Sequence, residues 1–173
     1  IAYRRDKDKF VKKIHDSKVK IKSNYEFDIK IYESLFDNTE QIVLSKGNIN
    51  NGKPVMVRVH VTDYFDNLFG EYGSDDASLN KSVDVIQKHG HGILVLIRDS
   101  GKSIINRLIT NSSFGSNKSQ SEKDELRIYG MGAQILSELG VKDMILLTNT
   151  EWKFIGLEAY GINIVETKLL SEL

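Results

Sequence analysis

The chain has 173 residues, 40% of them hydrophobic, and its 24 basic residues balance 24 acidic ones. That length suits one domain, or one domain with a tail, and the neutral balance argues against a general nucleic-acid or membrane-surface binder, because both need surplus positive charge. There is no cysteine, which excludes disulfides and any thiolate-held metal; no apolar run reaches the roughly 18 residues of a membrane span, and the charged start lacks the apolar stretch of a signal peptide, so a cytoplasmic protein is expected.

In chain order, residues 1–15 are mostly charged, with Phe10, Val11 and Ile14 at helical spacing; a short helix or an interdomain linker is expected there, with the domain proper over 16–173. The chain starts at Ile1 rather than Met, and a piece of a longer polypeptide is expected. Residues 19–23, 26–32 and 41–44 alternate or carry β-branched side chains, separated by Ser23-Asn24 and Asp37-Asn38, which predicts an antiparallel meander. A turn-rich stretch over 46–52 leads to Pro54 and a strand over 55–61. Leu79, Val83 and Ile86 predict an amphipathic helix over 76–88. The continuous apolar run 93–97 reads as a buried strand, and the Ser- and Asn-rich stretch 110–121 as a loop. A helix over 123–139 ends at Gly140 as a C-cap. A strand over 144–147, a short helix over 151–160 closed by Gly161, and a strand over 162–166 complete the chain. Antiparallel strands followed by alternating strands and helices define an α+β (mixed α/β) fold.

Several motifs occur together and in order. Val57-Arg58-Val59-His60 follows Gly52-Lys53-Pro54. Tyr64 to Gly70 ends in Phe69-Gly70, and Arg98-Asp99-Ser100-Gly101-Lys102 follows the buried strand. Arg127-Ile128-Tyr129-Gly130-Met131-Gly132-Ala133-Gln134-Ile135-Leu136, Leu146-Leu147-Thr148-Asn149 and Gly156-Leu157-Glu158-Ala159-Tyr160-Gly161 complete the set. In this order the motifs resemble the GTP cyclohydrolase II family over about residues 54–169. Ile1-Ala2-Tyr3-Arg4-Arg5 resembles the segment that joins a dihydroxybutanone phosphate synthase domain to its cyclohydrolase partner in bifunctional riboflavin-biosynthesis enzymes. The resemblance therefore implies a GTP cyclohydrolase II-like fold, an attached synthase domain as partner, GTP or another nucleotide as ligand, and a homodimer.

The family's reaction opens the imidazole ring of GTP, releases formate and removes pyrophosphate. A zinc ion with three protein ligands and one open position supplies the water nucleophile by lowering its pKa to about 7. The resemblance puts those ligand positions at Asp63, Ser74 and Asp76, none of them a cysteine. Two carboxylates and a hydroxyl make at most a weak oxygen site suited to magnesium; the plainer reading is three surface loop residues, so no metal and no cofactor are expected. His60, His89 and His91 raise a rival zinc site, but nothing in the sequence brings them together, and packing or surface roles are expected.

For the pyrophosphate step the resemblance implies Arg127 as nucleophile towards the α-phosphate, with Glu125 as the assisting acid where the family has Asp. The extra methylene displaces a carboxylate by about 1 Å, and catalysis is sensitive to that. Arg58, His60, Lys102, Thr148 and Lys153 fall at substrate-binding positions. Arg58 suits a phosphate through its planar fork, whereas Lys102 keeps the charge of the family's arginine without that geometry. Ser100 stands where a glutamate would read the base, so guanine discrimination is weakened. The expectation is a degenerate domain without zinc-dependent ring opening that supports the synthase domain. The alternatives are an active GTP cyclohydrolase II-type enzyme using another metal, residual pyrophosphate release, and a regulatory nucleotide or phosphate binder.

Overall fold

A computed structural model describes residues 9–22, 24–62, 74–98, 118–149 and 156–173, with the backbone alone at 74–76 and 118–125. Its strands are β1 (Val11–Ile21), β2 (Tyr25–Ser34), β3 (Glu40–Lys46), β4 (Val55–Thr62), β5 (Gly92–Arg98), β6 (Asp143–Thr148) and β7 (Asn163–Leu169). Among the described residues two helices, α1 (Ser74–His89) and α2 (Lys118–Glu138), follow β4 and β5. The strands form one sheet in the order β1-β2-β3-β5-β4-β6-β7. β1, β2, β3 and β5 pair antiparallel, whereas β5, β4, β6 and β7 pair parallel. The α+β expectation, an antiparallel meander leading into alternating strands and helices, is met.

Side-chain alternation splits the core in two. Val55, Val57, Ile93, Val95, Ile97, Met144 and Leu146 project to the face that α2 covers with Met131, Ile135 and Leu136. Met56, Leu94 and Leu147 project to the other face, under Val83 and Ile86 of α1. Strands β4, β5 and β6 are therefore apolar on both faces, as expected of parallel strands between helix layers. A fully buried aliphatic side chain contributes about 1.5–3 kcal/mol, and the two clusters fix both helices.

Three expectations are corrected. Residues 11–15 belong to β1 and not to a helix. β1 pairs with β2 from Val11 opposite Ser34 to Ile21 opposite Tyr25, and its register slips between Lys13 and His15. Ile14 sits in that bulge, 43% exposed, and the bulge breaks the alternation that would have marked a strand. Of the loop expected over 110–121, residues 118–121 begin α2; polar composition reports solvation rather than backbone shape, and no Gly or Pro lies between 118 and 129 to stop a helix. Of the closing helix expected over 151–160, residues 151–155 lie outside the described residues, and Leu157–Tyr160 form a 3-10 turn between left-handed Gly156 and Gly161. A glycine in that conformation at each end leaves room for one turn. Among the described residues no helix is long and apolar enough to cross a membrane.

Candidate functional site

Strands β4, β5 and β6 run in one direction and end at Thr62, Arg98 and Thr148. β4 is followed by a helix on one face and β5 by a helix on the other. Adjacent parallel strands whose connections go to opposite faces open a crevice at their carboxyl ends, where open α/β sheets hold ligands. Asp63 follows Thr62 in sequence, Lys102 follows β5 and Lys153 follows β6; these three positions lie outside the described residues. Ser74 and Asp76 open α1 and Glu125 lies within α2, each with only its backbone described.

The antiparallel strands complete this edge. β3 runs against β5, so the turn between β2 and β3 lies at the carboxyl end of β5, where the Arg98 backbone N–H donates to Gln41 Oε1 at 2.6 Å. β1 begins there too, because Val11 pairs with Ser34.

Arg127 is half-buried on α2 at this end, with its guanidinium carbon 5.2 Å from the centre of the Phe36 ring. Phe36 belongs to the β2–β3 turn and packs on Phe10, with ring centres 5.4 Å apart. The residues after Arg127 explain why Phe10 fits. A Cβ on Gly130 would lie 3.2 Å from the Phe10 ring, and one on Gly132 would lie 3.3 Å from Ile97 Cδ1. The two glycines thus let α2 approach both the start of β1 and the sheet. One turn on, Gln134 Oε1 accepts the backbone N–H groups of Phe10 and Val11 at 2.7 and 3.2 Å.

Arg58 lies elsewhere. It sits in mid-β4, opposite Leu94 and Leu147 and four residues before Thr62, so its backbone is about 13 Å from the strand end. It is 8% exposed and belongs to the α1 face. Its guanidinium donates to the Leu147 carbonyl and to Ser78 Oγ, both at 3.3 Å. Ser78 Oγ also accepts from Asn149 Nδ2 at 2.6 Å. Arg58 therefore ties α1 to the end of β6. His60 is buried two residues further along β4. Thr148, also buried, ends β6 on the opposite face from Leu147. The structure thus brings Arg127, Thr148 and the strand ends to one edge, and it places Arg58 and Arg127 on opposite faces of the sheet.

His89 and His91 sit at the other end of the sheet. Their rings are 6.4 Å apart, and His91 Nε2 lies 2.9 Å from the Asn48 carbonyl oxygen. His60 pairs with Leu96, at the far end of β5 from His91. No group of three metal-ligating side chains occurs among the described residues. Two open cavities of about 310 and 360 Å³ also lie towards this opposite end, lined by Asn48 and Ser45 and by Gly140 and Asp143 respectively. Burial, and then Glu138, pushes the Tyr32 phenol beside the first cavity well above its ordinary value.

Sequence reasoning missed Phe36, Phe10, Ser78 and the clamp by Gln134. Asp37 and Asn38 announced the turn that carries Phe36, and nothing in the sequence announces that its ring meets Arg127.

A family model described as GTP cyclohydrolase II matches residues 12–168. The chain is 35% identical over 179 residues to the riboflavin biosynthesis protein RibBA of Chlorobium phaeovibrioides, an alignment covering 96% of this chain and 43% of that protein. It is 35% identical over 176 residues to the monofunctional riboflavin biosynthesis protein RIBA 3, chloroplastic, of Arabidopsis thaliana, covering 95% of this chain and 34% of that one. Among solved structures it is similar to RibBX, a two-domain 3,4-dihydroxy-2-butanone 4-phosphate synthase from A. baumannii, with a TM-score of 0.58 at 19% identity over 96% of this chain and 42% of that chain. At that identity the likeness shows a shared fold. The chain spans less than half the length of each of these relatives.

Proposed function

Because the chain belongs to the GTP cyclohydrolase II family, we propose that it is a degenerate member: a domain of riboflavin biosynthesis that has lost zinc-dependent opening of GTP and supports a dihydroxybutanone phosphate synthase domain within a longer protein. One observation carries this reading, the absence of any cysteine from all 173 residues. The family's zinc needs soft thiolate donors, and Asp63, Ser74 and Asp76 offer two carboxylates and a hydroxyl at the corresponding positions. That donor set does not fit zinc. No step of the reading passes through a metal.

The synthase partner is supported by relatives. The riboflavin biosynthesis protein RibBA of Chlorobium phaeovibrioides is more than twice the length that this chain covers, and RibBX, with the same fold over 42% of its length, is described as a two-domain synthase. Incubation of the chain with GTP and stoichiometric zinc, followed by assays for formate and pyrophosphate, tests the reading. We expect no formate above the uncatalysed rate. Steady formate release would overturn it.

A second reading is favoured by one placement: Arg127 stands at the carboxyl edge, where this family's substrate phosphates are expected. On this reading the domain keeps a phosphate-binding arginine, and through it either nucleotide binding or a slow release of pyrophosphate assisted by Glu125. Arg58, engaged by the Leu147 carbonyl and Ser78, serves better as a strut between α1 and β6 than as a phosphate ligand. Calorimetry with GTP, GDP and inorganic phosphate separates a binder from a scaffold: no heat at millimolar ligand discards the binder.

A further inference from the structure

The geometry points to Phe36 as a positioning residue for Arg127: an aromatic platform that restrains the guanidinium where it meets a diphosphate. This rests on the second reading above, in which Arg127 contacts phosphate.

The first observation is the stack itself. The Arg127 guanidinium carbon lies 5.2 Å from the ring centre, within the roughly 6 Å over which a cation is drawn to an aromatic face. A guanidinium carries its five N–H donors in its own plane. Attraction to the ring restrains the group through its charge, and a fork of in-plane donors is what a diphosphate's oxygens recognise.

The second observation is how firmly the ring is held, although it is 53% exposed. The Phe36 N–H donates to Ser34 Oγ at 3.3 Å. The Asn38 N–H donates to the Ser34 carbonyl at 3.0 Å, and the Ser34 N–H to the Thr39 carbonyl at 2.8 Å. Asp37 Oδ1 accepts from the Thr39 backbone and hydroxyl at 3.2 and 2.8 Å. Asn38 is held at φ 55, a left-handed conformation that asparagine tolerates. From the other side Phe10 packs on the ring, and the Leu35 N–H donates to the Phe10 carbonyl at 2.8 Å. Phe10 is itself seated on Gly130 and clamped by Gln134. The platform is thus built from the β2–β3 turn and the start of β1, and it faces the one helix that carries the arginine.

The third observation is placement. This turn lies at the carboxyl end of β5, the edge at which the parallel strands end. An arginine side chain loses much rotamer freedom when it is fixed. A ring that restrains it beforehand lowers the ordering cost of binding.

The test uses the whole chain and two readouts. Inorganic pyrophosphate is titrated calorimetrically into the parent and into Arg127→Ala, Phe36→Leu and Phe36→Trp. The platform predicts binding by the parent, loss in Arg127→Ala, a two- to fivefold weaker Kd in Phe36→Leu, about the size of an exposed cation–π contact, and the parental Kd in Phe36→Trp. The second readout is the NMR position of the Arg127 side-chain protons without ligand. Ring current displaces them in the parent and in Phe36→Trp, and they return to ordinary values in Phe36→Leu; a merely structural role for Phe36 does not require this. Phe36→Gln stands in if the leucine variant unfolds. If Arg127→Ala loses binding while Phe36→Leu binds as the parent does, the platform falls and the phosphate reading stands. If Arg127→Ala binds like the parent, or the parent gives no heat, both fall.

Discussion

Replacing Gln134 with leucine is expected to release the start of β1 from α2. The amide oxygen of Gln134 accepts the N–H groups of both Phe10 and Val11, at 2.7 and 3.2 Å. Val11 is 5% exposed, so water does not readily replace the lost acceptor there; Phe10 is only half-buried and is partly rescued by solvent. A buried donor left unpaired costs about 1–3 kcal/mol. Taking one full penalty and one discounted one gives about 2–3 kcal/mol, which for a chain of this size lowers Tm by roughly 4–12 °C. Gln134→Glu is the control, because its carboxylate still accepts both bonds and recovers most of the loss. Thermal unfolding by circular dichroism measures the shift, and hydrogen exchange localises it: the Phe10 and Val11 amides lose protection while β5 and β6 keep theirs. If Gln134→Leu unfolds within about 1 °C of the parent and both amides stay protected, the clamp does not hold β1, and the argument that α2 organises this edge fails.

Three further outcomes are expected. Tyr32 has its phenol raised by burial and then by Glu138. The folded state therefore binds that proton more tightly than the unfolded chain does, and the contribution to stability is full below about pH 10, the unfolded value, and is lost as pH rises from there; denaturant titrations of Tyr32→Phe should show a shallower alkaline loss than the parent, and equal slopes would refute it. Gly47 has φ +74, and a Cβ there would lie 2.5 Å from the Gly90 carbonyl oxygen, so Gly47→Ala combines left-handed strain of about 1–2 kcal/mol with a backbone clash, and a Tm loss under 2 °C would show that the turn simply moves. The combined substitution Asp63→Cys, Ser74→Cys and Asp76→Cys should bind one zinc per chain by metal analysis after desalting; no retained zinc would show that the ligand positions were read out of register.

Much of the fold was legible. The runs at 93–97 and 144–147 are apolar without alternation, and only a strand covered on both faces needs that. They are β5 and β6, covered by α1 and α2. The end of β1 was legible in the alternation over 19–23, but its start was not, because the evidence there is tertiary: a bulge at Ile14 and an acceptor on Gln134, more than a hundred residues away. The site was half legible. Of the candidate residues that the motifs named, Arg127 and Thr148 lie at the edge where the parallel strands end. They did not reveal that Arg58 points to the α1 face and spends two donors on Leu147 and Ser78. A strand arginine near a sequence motif looks the same whether it faces a ligand or a neighbouring helix.

That ambiguity bears on what the surviving motifs mean. Gly130 makes room for Phe10, Gly132 for Ile97, Gln134 holds two backbone amides, Asn149 donates to Ser78, and Arg58 joins α1 to β6. Each of these residues has work in the folded chain that needs no substrate, so losing any one would cost stability whether or not the domain acts on GTP. On the proposed reading the second set is the positions where chemistry has been lost: Asp63, Ser74 and Asp76, and Ser100. A chain kept for its shape would keep the first set and let the second go. Arg127 differs from both sets in its place, at the edge where the parallel strands end, and an exposed cation–π contact such as the one it makes with Phe36 contributes about 0.5–1 kcal/mol. The arginine is therefore the residue whose substitution best separates a scaffold from a phosphate binder: Arg127→Ala should leave Tm within a few degrees in either case, and only the binder should lose its affinity for pyrophosphate.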